Sequence, residues 1–137
     1  MDDAVRNALA IKRDSTVADR RIDITTTGAR TGQSRRQEIW LYRASGKLYL
    51  TGRPGRRDWY ANLVAHPRFT VHLKHRVVAD LPATAVPIMD METRRDVFTE
   101  IVAGLDGPHI PVRGTPPTVE DWLAGSPLVE IQLDDEP

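Results

Sequence analysis

Hydrophobic and polar positions alternate with a period of two over several short stretches of this chain. Arg21 to Thr27 alternates around Ile22 and Ile24 and carries a run of β-branched threonines, which predicts a strand. Gln37 to Arg43 and Lys47 to Thr51 predict two more, joined by a tight turn at Ser45-Gly46. Phe69, Val71 and Leu73 alternate with Thr70, His72 and Lys74 in a fourth. Val77, Ala79, Leu81, Ala83 and Ala85 keep the period in a fifth, where Pro82 predicts an edge or a bulge. Leu128 to Leu133 is the sixth. Helical spacing appears between these runs. Residues 4–18 group Val5, Ala8, Leu9 and Ile11 on one side, and a short helix from about Arg57 to Ala65 is stopped by Pro67. Asp90 reads as the N-cap of a helix with Val97, Phe98, Ile101, Val102 and Leu105 on one stripe. Thr118 with Asp121 opens a last short helix through Ala124. The expected class is α+β, mainly β: a small, mostly antiparallel barrel of about six strands with peripheral helices.

With 137 residues, 40% of them hydrophobic, the chain is expected to form a single domain, 1–137, with a real core. Its net charge of zero hides a segregation. Residues 20–76 carry 13 Lys and Arg against Asp23, Glu38 and Asp58, while residues 77–137 carry three arginines against 12 acids. One basic block in a neutral protein points to a localised anion site, and the acidic half argues against a nucleic-acid partner. Cysteine is absent, which excludes disulfides, thiol nucleophiles and iron–sulfur clusters. No apolar run approaches the ~20 residues that span a bilayer. The Met1-Asp2-Asp3 start lacks a signal pattern, so no integral membrane association and a cytoplasmic location are expected.

The basic block concentrates in two loops. Loop one, Thr26 to Arg36, carries Arg30, Thr31, Gly32, Arg35 and Arg36, whose guanidinium forks and glycine-flanked amides suit phosphate or carboxylate oxygens. Loop two, Gly52 to Tyr60, places Arg56 and Arg57 just ahead of a helix, where free amides and the positive end of the dipole favour an anion. Trp59 is open to two readings, stacking on a flat ring or anchoring its helix in the core with Leu63. His72 and His75, three apart on a strand, do not chelate one metal, and His66 and His109 have no partner at ligand spacing, so no metal is expected. Walker, dinucleotide and nucleophile-elbow motifs are missing. A reaction that asks little of side chains, such as hydride transfer from a bound cofactor, fits this inventory.

The run Thr25 to Arg35 resembles the T-T-G-R/K-x-S/T-G-x-x-R hairpin of the deazaflavin (F420)-dependent nitroreductase family. Trp59-Tyr60-Ala61-Asn62-Leu63 and His66 to Val71 resemble that family's W-Y-x-N-L-x-A-N-P-x-V-x-V segment. The resemblance covers roughly residues 20–86. It implies a split β-barrel, a homodimer, and coenzyme F420 as hydride donor to an electron-poor small molecule: a quinone, an enone or a nitroaromatic. By motif position Arg30, Thr31, Gly32 and Arg35 would hold the phosphate or acidic tail, with Arg56 the basic residue ahead of the Trp-Tyr pair. The ring would lie near Leu50, Thr51 and Gly52. An FMN-binding split-barrel oxidoreductase and a non-catalytic cofactor-binding protein of the same fold are the alternatives. Glu38 stands where the family usually has proline, and Arg53-Pro54-Gly55 shortens the second loop. Tyr42 and Tyr49 are candidate proton donors, and the proline-rich loop 106–117 is a candidate pocket wall or dimer contact.

Overall fold

The structure, a computed structural model, describes residues 1–111 and 114–135. Seven strands pair antiparallel in one sheet: β1 (Arg21–Thr27), β2 (Ser34–Trp40), β3 (Tyr42–Ala44), β4 (Lys47–Thr51), β5 (Arg68–Leu73), β6 (Ala79–Pro87) and β7 (Leu128–Leu133). Their order is β2-β1-β5-β6-β7-β4-β3. Strands β2 and β3 are consecutive in the chain yet stand at opposite edges. With only Leu41 between them, the sheet has to curl until its edges meet, and this produces the half-barrel. Leu41 is fully buried at that junction, and its amide donates to the Arg20 carbonyl at 2.7 Å. The single strand expected over 37–43 is therefore two strands separated by one residue, which makes seven strands where six were expected.

The inward positions of the alternating pattern fill the barrel. Ile22, Ile24, Leu48, Leu50, Val71, Ala83, Val129 and Ile131 are all buried there. Helix α3 (Asp58–Ala65) inserts Trp59 and Leu63 among them, and α1 (Asp3–Leu9) adds Val5 and Leu9. On the outside of β3 and β4, α4 (Met91–Gly104) and α5 (Val119–Gly125) build a second core from Tyr42, Tyr49, Phe98, Ile101, Trp122 and Leu128. Phe98 meets Trp122 edge-on, ring centroids 6.0 Å apart.

Two expectations are corrected. The helix expected over 4–18 is α1 followed by the single turn α2 (Val17–Arg20). Buried Arg20 donates to the carbonyls of Lys12, Arg13 and Ser15, which a continuous helix would have used internally. Thr16 and Asp19 then start α2 with a reciprocal capping box. Pro82 lies in β6, which is central rather than an edge, because its pairing with β7 begins only at Ala83. Pro82 therefore needs no amide toward that neighbour, and its carbonyl accepts from Asp134.

Candidate functional site

Loop one is a self-supporting hairpin. The Gly28 amide donates to the Gln33 carbonyl at 2.8 Å and the Gly32 amide to the Gly28 carbonyl at 2.9 Å. Gly32 has φ of +70°, a left-handed conformation that glycine adopts without strain. The hairpin is anchored by a residue not singled out from the sequence. Asn62, buried on α3, accepts from the Ala29 amide at 2.9 Å and donates to Thr26 Oγ1 at 3.1 Å. Because Thr26 stands opposite Arg35 in the β1–β2 register, Arg35 shares the face on which α3 sits. Arg30 and Arg35 are exposed and have no ion-pair or hydrogen-bond partner among the described residues. Arg36 faces the other way and is engaged with Asp23 at 3.0 Å. That outer face is an ionic lattice in which Lys74 bridges Asp23 and Glu38. The hydrogen bond from Lys74, above all, holds the Asp23 carboxyl below its ordinary pKa. Glu38 belongs to this lattice.

Loop two is stapled by Arg57, whose guanidinium donates to the carbonyls of Arg53 at 2.8 Å and Arg56 at 3.1 Å. No side chain caps the N-terminus of α3. Leu50 and Thr51 are buried, Thr51 donating to the Pro127 carbonyl at 2.5 Å, so this stretch presents Gly52 and Arg53 instead. Trp59 takes the core reading, 4% exposed against the barrel interior.

Beside Arg53 opens an aromatic-walled cavity of about 760 Å³. Trp40, Tyr42 and Trp122 form one side, and Ile110, Pro111, Pro116 and Pro117 of the proline-rich loop the other, with Arg21 and Arg53 among the lining residues. Val112 and Arg113 of that loop lie outside the described residues. Burial pushes the Tyr42 phenol up to about 12, so it stays protonated at neutral pH. Tyr49 lines none of the cavities described. Strand β2 runs from loop one at Ser34 to this cavity at Trp40, six residue steps or about 20 Å.

Among the described residues no group of three His, Asp or Glu is placed to hold a metal ion, and no helix is long and apolar enough to cross a membrane. His72 is instead held between Thr25 Oγ1 at 2.6 Å and Asp80 at 2.7 Å.

The family model for F420H2-dependent quinone reductases matches residues 7–105. The chain belongs to that family. It is an oxidoreductase, and its family's cofactor is the deazaflavin rather than FMN. Several solved structures share its fold. A conserved hypothetical protein of Mycobacterium tuberculosis aligns with a TM-score of 0.65 at 16% identity, over 98% of this chain and 81% of its own. An F420-H2-dependent reductase aligns at 0.53 and 20% identity, over 82% and 93%. A NimC/NimA family protein of Clostridium acetobutylicum aligns at 0.58 and 13%, over 95% and 82%. The split barrel is common to all of them.

The residues present fit F420. Arg30 and Arg35 are exposed and uncompensated beside a rigid glycine hairpin, as an acidic tail requires. Beside Arg53 of the second loop, the aromatic-walled cavity has room for a flat reactant.

Proposed function

We propose that this F420H2-dependent quinone reductase family member reduces an electron-poor aromatic or enone held in the Trp40–Trp122 cavity. Loop one would hold the phosphate and acidic tail through Arg30 and Arg35, with Thr31 beside them and the Gly32 amide committed to the hairpin itself. The ring would be held near Gly52 and Arg53 of loop two, with the Arg57 guanidinium packed beside Gly52. When bound, the reduced deazaflavin supplies a hydride. Arg53 carries this reading: it belongs to the loop that frames the ring and also lines the cavity that takes the acceptor.

The chain's own contribution is binding and placement. Trp40, half buried, offers a flat wall to a ring, and Pro111, Pro116 and Pro117 of the proline-rich loop line the same cavity. Arg21 and Arg53 supply positive charge to an acceptor oxygen as it gains electron density. Tyr42, kept neutral by burial, donates a hydrogen bond there without giving up its proton. Arg36, bound to Asp23, and Trp59, packed in the core, support the site without touching the ligand. Arg56 and Arg57 line a different groove, Arg57 also packing beside Gly52, so loop two enters chiefly through Arg53.

A homodimer is part of the reading. Strand β2 is a sheet edge whose residues Ser34–Glu38 are exposed on both faces, which a second copy would cover.

The test is a titration with F420 followed by turnover of F420H2 with menadione. Binding that is lost in Arg35→Ala, and oxidation of the bound cofactor by menadione, are expected. FMN binding without any response to F420 would overturn the reading. Binding without turnover across quinones and nitroaromatics would replace it with the non-catalytic one.

A further inference from the structure

Loop two has a second side, and a larger groove of about 970 Å³ runs along it that the proposed reaction does not use. It lies between α3, the β6–α4 junction and the segment from α5 into β7. Among the described residues four large hydrophobic side chains are well exposed, and three of them line this groove: Val64 at 55%, Met89 at 71% and Met91 at 55%. Such clustering marks a surface that something apolar covers. The polar part of the lining is cationic. Arg56, Arg57 and Arg94 face a single acid, Asp58.

None of these cations is neutralised. Arg56 has no hydrogen-bond or ion-pair partner among the described residues, and Arg57 donates only to the carbonyls of Arg53 and Arg56. Arg94 donates to the carbonyls of Ile88, Leu123 and Ser126 at 2.8 to 3.1 Å and stacks on Phe98 at 5.2 Å. A half-buried guanidinium held by three carbonyls is fixed in place without a counter-charge. Ser126, also in the lining, is 4% exposed and its buried Oγ has no partner. Arg94 is held against the Ser126 carbonyl, and together with Arg56 and Arg57 it leaves the lining with an excess of positive charge. The uncapped N-terminus of α3 adds its dipole to the same place.

We propose that this groove is a second ligand site, distinct from the F420 and acceptor sites, which takes an unbranched aliphatic chain with one anionic head. The head pairs with Arg56 and Arg94, and the chain lies along Val64, Met89 and Met91. Methionine side chains are flexible and adapt to the shape of an aliphatic body. The proposal rests on the placement of cofactor and acceptor given above only in calling the site a second one.

Calorimetric titration with sodium octanoate, in the free protein and in the protein saturated with F420, tests it. Octanoate binds one site per chain, and 1-octanol, of equal length but uncharged, binds about tenfold more weakly because no charge-assisted hydrogen bonds form. Val64→Glu and Met89→Glu change exposed positions, so the fold is retained, checked by an unchanged Tm, while octanoate affinity falls about tenfold. F420 leaves the octanoate affinity unchanged, and the result in the free protein stands even if F420 does not bind. Equal binding of octanol, no binding of octanoate, or competition between octanoate and F420 would overturn the proposal. So would sedimentation showing that Val64→Glu turns a dimer into monomers while octanoate binding is unaffected, which would give the face to a second copy of the chain.

Discussion

Asn62 Oδ1 lies 2.9 Å from the amide nitrogen of Ala29, so helix α3 holds the arginine hairpin from beneath. The same side chain donates to Thr26 Oγ1, and all three partners sit at the edge of the barrel core. The hairpin is thereby fixed before any ligand arrives, which lowers the ordering cost of binding.

Asn62→Ala removes both hydrogen bonds and leaves the buried Thr26 hydroxyl unmatched. Stability should fall by about 2–3 kcal/mol in a denaturant melt. F420 affinity should fall as well, since Arg30 and Arg35 lose a rigid base. A variant that lost stability yet bound F420 as before would remove Asn62 from the site.

Arg30→Ala and Arg35→Ala should act oppositely. Both side chains are exposed and unpartnered, so Tm should hold while F420 affinity drops about tenfold for each, the cost of one charge-assisted contact. Affinity plotted against salt should flatten in each variant. Arg36→Ala should cost little binding, because Arg36 already serves Asp23.

Trp40→Ala tests the acceptor cavity. Trp40 is only half buried, so the fold should tolerate the change. The KM for menadione should rise about tenfold with F420 binding nearly unchanged, as expected for loss of one aromatic wall. Trp122→Ala would be a poor choice, since Trp122 is core to α4 and α5.

Asp19 should set part of the acid sensitivity. Its carboxyl is held at about 2, below the ordinary 3.8, first by the hydrogen bond from Arg76 and then by the Thr16 amide. A lowered pKa in the folded state stabilises that state fully above about pH 4, and the contribution disappears as pH falls from about 4 through 2. Asp19→Asn should be less stable at neutral pH and lose less between pH 4 and 2.5, measured by urea midpoints across that range.

Local pattern was enough for β1, β4 and β7, whose boundaries coincide with their alternating runs. Asp90 and Thr118 cap α4 and α5 as their side chains suggest, since capping is a contact within a few residues. The rest depends on partners distant in sequence. Arg20 reads as one more surface cation until its carbonyl partners appear, and those partners are what break the first helix. Asn62 reads as a polar residue on a short helix until Ala29, 33 residues earlier, is brought against it. The basic loops were visible as loops, but the sequence does not say which arginine faces which way. Strand alternation assigns Arg35 and Arg36 to opposite faces, and only the β1 register tells which face carries Asp23 and which carries α3. Trp40 drew no notice because its importance arises where Leu41 turns the chain.

Arg35 and Trp40 stand on opposite faces of β2, Arg35 on the side that carries α3 and Trp40 on the side packed beneath α4 and α5. Inserting or deleting one residue between them would exchange the two faces and carry each side chain to the other side of the sheet.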